Sequence, residues 1–234
     1  MRNRGKGRLT EQEVSFIAKQ LFTSLHYMHQ ERIVHRDIKL ENILIDSRND
    51  GMYLKLTDFG FATFIQPGEM LSKGVGSRYY IAPEILQKQD YDFKIDVWSA
   101  TIVIYILLCG DMPYPGNNVK EVAESIKQKD LKKELKKLSY LSQEARSFLL
   151  AGMEQDPQTR YSSAEMLQHP FLTQTELPKI KKRHPASMEQ AMYLVRAGHK
   201  VPQDYLESII KTLFKTDDSD VCESNSEESV NRNN

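Results

Sequence analysis

Apolar residues settle into a helical rhythm early in the chain. Val14, Ile17, Ala18, Leu21, Leu25 and Met28 share one face, and Thr10-Glu11-Gln12-Glu13 ahead of them is a capping box. Residues 10–30 are therefore expected to form an amphipathic helix. Two short β-like runs follow, 43–46 and 53–56, around the turn-rich Ser47-Arg48-Asn49-Asp50-Gly51, which predicts a hairpin. Past Asp92 the pattern is helical at 95–109, 118–129, 142–153 and 163–168. The run 97–109 is apolar except for Ser99 and Thr101; at 13 residues it is too short to span a bilayer and reads as a buried core helix. Two more helices are expected at 187–197, closed by Gly198, and at 203–214, opened by Pro202. The hairpin is almost the only β signal, so the expected fold is mainly α.

Composition narrows this little. The 234 residues suit one large domain with a tail, and 40% apolar with 27% charged residues excludes wholesale disorder. Lys+Arg and Asp+Glu are both 32, so net charge gives no case for nucleic acid. Charge is uneven locally: Arg2, Arg4, Lys6 and Arg8 are basic, as are 127–137 and 179–183, while the chain from Asp217 is acidic and Ser/Asn-rich. Cys109 and Cys222 are the only cysteines, which fits a reducing compartment, and no apolar leader opens the sequence. A soluble, intracellular, cytoplasmic protein with no membrane span is expected.

The chemistry lies between the first helix and the hairpin, in His35-Arg36-Asp37-Ile38-Lys39-Leu40-Glu41-Asn42, and just past it in Asp58-Phe59-Gly60. Asp37 and Asn42 flank the entry to one strand and Asp58 leaves the other, so three oxygen-bearing side chains are expected at one end of the hairpin. With Lys39 beside them they suit a hard cation such as Mg²⁺ and an anionic phosphate, leaving one carboxylate to take a proton from a hydroxyl.

Together with Ala82-Pro83-Glu84, these motifs make the chain resemble the C-terminal lobe of a eukaryotic protein kinase, with Ile38 in place of Leu. The resemblance runs over residues 8–172, through Asp96-Val97-Trp98-Ser99, Asp156-Pro157-Gln158-Thr159-Arg160 and His169-Pro170-Phe171. It implies ATP and Mg²⁺ as cofactors, with Asp37 the catalytic base and Asn42 and Asp58 the metal-holding, cofactor-binding residues. Lys39 is the serine/threonine-kinase form and would neutralise the moving phosphoryl. Ser77 would contact base and Lys39. Glu41 and Glu124 would meet a basic residue upstream of the acceptor in a protein substrate. His35 and Asp96 resemble braces of the catalytic loop, Glu84 and Arg160 an ion pair anchoring the following segment, and Trp98 the central buried helix. Tyr79-Tyr80-Ile81-Ala82-Pro83-Glu84 and Tyr105-Ile106-Leu107-Leu108-Cys109-Gly110 look most like calmodulin-dependent and calcium-dependent kinases. No direct calcium binding is expected: the loop beginning at Asp46 has Arg48 at a ligand position and Thr57 where Glu is needed.

Some positions depart from the family pattern. Thr101 stands where Gly is usual and adds bulk to a packed helix; Leu40 replaces a frequent Pro. Lys73 falls where many kinases carry a phosphorylatable Thr that Arg36 would contact, which makes Ser72 the substitute regulatory site. Only 34 residues precede His35, and no glycine-rich strand-turn-strand is read there: Gly5-Lys6-Gly7-Arg8 reads as a connector. The expected organisation is a basic connector at 1–9, a kinase C-lobe at 10–172 without its β lobe, a helical tail of unassigned role at 173–215 and a disordered acidic tail at 216–234. Two functions follow: a serine/threonine kinase present as a partial catalytic domain, or a non-catalytic lobe that binds substrates or partners.

Overall fold

The computed structural model describes residues 9–46 and 53–173. Helix α1 (Glu11–Gln30) begins at the expected box: the Glu13 N–H donates to Thr10 Oγ1, and the Thr10 N–H donates to Glu13 Oε2 at 2.7 Å. Val14, Ile17, Ala18, Leu21, Phe22, Leu25 and Met28 line its buried face.

Strand β1 (Ile33–Val34) follows, then a 3₁₀ turn at Leu40–Asn42, β2 (Ile43–Asp46), β3 (Tyr53–Leu56) and β4 (Thr63–Phe64). β2 and β3 pair antiparallel from Ile43 opposite Leu56 to Asp46 opposite Tyr53, the hairpin expected from the two β-like runs. β1 pairs antiparallel with β4, Ile33 opposite Phe64. That second ladder escapes the sequence because two residues cannot display a period.

The remaining helices are α2 (Pro83–Leu86), α3 (Lys94–Cys109), α4 (Val119–Gln128), α5 (Leu131–Lys137), α6 (Gln143–Gly152), α7 (Ser163–Leu167) and α8 (Pro170–Thr173). Side-chain oxygens of Asn118, Asp130, Ser142 and Ser162 cap α4 to α7. Helix α5 is an addition: the lysine-rich run hides Leu131 and Leu135, an i,i+4 pair that is buried. The fold is mainly α, as expected.

Helix α3 is the centre. All its residues except Lys94, Ser99 and Leu107 are buried, so an apolar surface on every side is what the location requires. α1 packs against α3, α7 and α8, and α6 packs against α3 and α8. Phe22 meets Phe148 edge to face at 5.5 Å between α1 and α6. Thr101 fits because its hydroxyl donates to the Val97 carbonyl at 2.7 Å and Gly152 of α6 lies directly opposite. A Cβ on Gly152 would collide with the Thr101 side chain. The bulk added on one helix is matched by its absence on the other.

No described helix is long and apolar enough to cross a membrane. Residues 1–8, the loop 47–52 and the chain from 174 lie outside the described residues, and with them the connector, the expected tail helices, the acidic tail and Cys222.

Candidate active site

Asp96, in the first turn of α3 and 1% exposed, fixes the loop that carries Asp37. Its carboxylate accepts the His35 N–H at 2.8 Å and the Arg36 N–H at 2.9 Å. His29, at the end of α1, places Nε2 3.1 Å from the same carboxylate and Nδ1 3.0 Å from the Ser163 hydroxyl of α7. His35 Nδ1 accepts the Asp37 N–H at 3.3 Å, so its Nε2–H is left to donate to the Thr57 carbonyl at 3.2 Å. Arg36 takes a left-handed backbone, φ 69°, that only such bracing sustains in a residue other than glycine. Gly76, φ 114°, is required beside it: a Cβ there would sit 2.8 Å from the Arg36 carbonyl oxygen. This close approach brings Ser77 to the loop.

Asp37 is 3% exposed, and both of its carboxylate oxygens accept hydrogen bonds. Its Oδ2 accepts Lys39 Nζ at 2.6 Å and Asn42 Nδ2 at 3.2 Å, and its Oδ1 accepts the Ser77 hydroxyl at 2.8 Å. Lys39 Nζ also donates to Ser77 Oγ at 3.1 Å, closing a triangle of carboxylate, ammonium and hydroxyl. Asn42 Nδ2 donates to the Asp37 carbonyl at 2.9 Å as well. Asp37, Lys39, Asn42 and Ser77 thus meet, as the sequence suggests.

Asp58 makes no hydrogen bond to them among the described residues. It is exposed, with φ 59°, and its Oδ1 accepts the Gly60 N–H at 3.2 Å. Its tie to the others runs through the neighbouring Thr57, whose N–H donates to the Asn42 carbonyl at 2.9 Å. Glu41 holds a buried Oε2 with no hydrogen-bond partner among the described residues. Glu124 is exposed on α4 and accepts Gln128 Nε2 at 2.6 Å, away from the triangle.

Arg36 donates from Nε to the Phe61 carbonyl at 2.6 Å and from Nη1 to the Tyr91 hydroxyl at 3.4 Å. The Tyr91 hydroxyl donates to the Lys73 carbonyl at 2.6 Å, and Leu71 and Tyr91 exchange backbone hydrogen bonds at 2.8 and 2.9 Å. Ser72 is exposed within that segment. Arg160 grips Glu84 below it with two guanidinium nitrogens, at 2.6 and 2.8 Å, and its guanidinium lies 5.1 Å over Trp98.

His29 and Tyr91 are the positioning residues that the sequence did not mark. His29 carries no local signal, since its partner Asp96 is 67 residues away. Tyr91 has no signal beyond being aromatic.

Residues 2–172 match the protein kinase domain. The chain belongs to the protein kinase domain family. Among its relatives, the chain is 38% identical to calcium-dependent protein kinase 29 of Arabidopsis thaliana, across 74% of this chain and 32% of that protein. It is 31% identical to calcium-dependent protein kinase 3 of Oryza sativa subsp. japonica, across 92% of this chain and 41% of that protein. Calcium/calmodulin-dependent serine/threonine-protein kinase 1 of the same rice is 29% identical, across 90% and 34%. The kinase chain thus spans about a third of the length of the relatives it matches. The family read from the catalytic-loop, Asp-Phe-Gly and Ala-Pro-Glu motifs is the family found.

Proposed function

We propose that the described residues form the catalytic-loop half, the C-terminal lobe, of a serine/threonine protein kinase that moves the γ-phosphoryl of ATP to a protein hydroxyl. The observation that carries this reading is the triangle of Asp37, Lys39 and Ser77. A buried carboxylate held on one oxygen by an ammonium and an amide, and on the other by a hydroxyl, is oriented to receive one more hydroxyl proton. Asp37 orients the acceptor Ser or Thr and takes its proton; Lys39, already at 2.6 Å, offsets the charge on the group in transfer.

The donor set fits Mg²⁺. Asn42 directs its NH₂ to Asp37, and its Oδ1 accepts no hydrogen bond from the described residues. Asp58 is exposed, with only Oδ1 engaged. No trio of His, Cys, Asp or Glu among the described residues could hold a metal by itself. Mg²⁺ is usually bound by one or two protein oxygens together with phosphates and water, which is what Asn42 and Asp58 offer. Held by Asn42 and Asp58, it would supply positive charge to neutralise the ATP phosphates.

Glu41, half-buried beside the catalytic loop, is the carboxylate we assign to a basic residue upstream of the acceptor. Glu124 would extend that preference from the surface of α4. Phosphoryl transfer rests mainly on positioning, and no glycine-rich cover for the phosphates lies among the described residues. The test is to join the 234 residues to the nucleotide-covering lobe of a calcium-dependent relative and to follow phosphate incorporation into an Arg-bearing Ser peptide. The fusion should transfer phosphate at least ~100-fold faster than the chain alone. A folded fusion that binds ATP and the peptide yet transfers nothing would favour a lobe that only binds partners.

A further inference from the structure

We propose that Arg78 selects substrates carrying an acidic side chain beside the acceptor hydroxyl, an inference that rests on the kinase reading above. Arg78 directly follows Ser77, whose hydroxyl lies 2.8 Å from the Asp37 carboxylate, so it stands one residue from the point where an acceptor would meet its base. Its side chain is half-buried and fixed. One Nη1–H donates to the Asn117 carbonyl just before α4, and the guanidinium lies 4.5 Å from the centre of the Tyr79 ring. Both contacts orient the guanidinium, and neither neutralises it.

A guanidinium has five N–H donors, and a single one of them is engaged among the described residues. No carboxylate reaches ion-pair distance of Arg78 among the described residues. Glu121 is the acid whose field it feels, and Glu121 is committed elsewhere. Its Oε2 accepts the Asn117 N–H at 2.8 Å and Asn117 Nδ2 at 3.0 Å, and its Oε1 accepts Asn118 Nδ2 at 2.7 Å. Those bonds, the Asn117 N–H foremost, hold the Glu121 carboxyl below its usual range, and Arg78 adds a minor part.

The contrast with the other arginines around the site is chemical. Arg160 has both nitrogens matched to Glu84, and Arg36 is held by the Phe61 carbonyl and the Tyr91 hydroxyl. Arg78 is a preorganised cation with its fork open, and a carboxylate or phosphate is the group that such a fork fits. Glu41, half-buried on the catalytic loop, is its counterpart of opposite charge. A peptide that satisfies both carries a base upstream and an acid next to its acceptor.

The experiment measures binding, so it needs no phosphoryl transfer. Fluorescent peptides with one Ser acceptor and an upstream Arg are titrated against the 234-residue chain, with Asp or Ala placed in turn at each position flanking the acceptor. One flanking position should bind about tenfold more tightly as Asp than as Ala. That ratio should fall to near one in Arg78→Gln and to an intermediate value in Arg78→Lys, which keeps the charge and loses the fork. In Arg78→Glu, Lys should replace Asp as the favoured residue at that same position. Binding without any acidic preference, or a preference that survives Arg78→Gln, would overturn the role of Arg78 and leave the kinase reading standing. Failure of every acceptor peptide to bind would overturn both.

Discussion

The Arg160 guanidinium and the Glu84 carboxylate meet as two parallel hydrogen bonds of 2.6 and 2.8 Å in a site where neither side chain is more than 1% exposed. Arg160 also donates from Nε to the Glu154 carbonyl at 2.8 Å and from Nη1 to the Lys94 carbonyl at 3.1 Å. The pair therefore ties α2 to the start of α3 and to the loop after α6. Removing one partner leaves a buried charge without compensation, which costs about 3–5 kcal/mol. Glu84→Ala should lower the unfolding free energy by that amount in urea titration; a loss below about 1 kcal/mol would show that the pair holds nothing together.

Gly152 and Thr101 make a sharper test of packing. Alanine at 152 would gain about 1 kcal/mol in helix propensity, yet its methyl would collide with Thr101. Overpacking of this kind costs about 1–3 kcal/mol, so Gly152→Ala should destabilise. In a Thr101→Gly background only the flexible end of Met166, 2.9 Å from the added methyl, has to shift, and the same substitution should become far less costly. A Gly152→Ala effect equal in both backgrounds would contradict the contact.

His169 gives the fold a pH dependence of known sign. Burial holds its imidazole below the ordinary range, against a weaker opposing pull from Glu144, and Nδ1 accepts the Phe171 N–H at 3.2 Å. The unfolded chain binds this proton more readily, so the stabilising contribution is present above about pH 6.5 and is lost as pH falls. The melting temperature should drop between pH 7.5 and 5.5, and His169→Asn, which keeps an acceptor but does not titrate, should flatten that slope. An unchanged slope in His169→Asn would assign the effect to other groups.

Much of this was legible in the sequence where the signal is local. Thr10 and Glu13 announce α1, the two β-like runs at 43–46 and 53–56 around a turn-rich segment give the hairpin, and the largely apolar run after Asp96 marks α3. Relationships between distant residues were not. Thr101 could be flagged as bulky, but Gly152 as its complement emerges only when α3 and α6 are packed. Asp58 shares a motif with the metal-holding residues of the family, yet its exposure and its indirect link to Asn42 depend on a left-handed turn that periodicity does not encode. Arg36 reads as a phosphate contact, whereas its guanidinium meets a carbonyl and a tyrosine hydroxyl.

That last arrangement predicts how the segment around Ser72 is held. Tyr91 bonds Arg36, the Lys73 carbonyl and both backbone groups of Leu71, so order there does not require a phosphate. Losing the Tyr91 hydroxyl removes bonds worth about 1 kcal/mol, which corresponds to roughly fivefold faster amide exchange. Tyr91→Phe should speed exchange at Leu71 by that factor, and Ser72→Ala should leave it unchanged. Faster exchange in Ser72→Ala alone would give Ser72 the holding role.

Lys39, Asn42 and Ser77 set the oxygens of Asp37, and in the proposed reaction that carboxylate would be the base for the acceptor hydroxyl. The most direct test is the rate of phosphate transfer by the fused kinase carrying Asp37→Asn, which keeps the shape and removes the basic oxygen. The rate should fall by roughly 10²–10⁴ while peptide KM stays near that of the parent fusion. A competent fusion indifferent to Asp37→Asn would contradict the account.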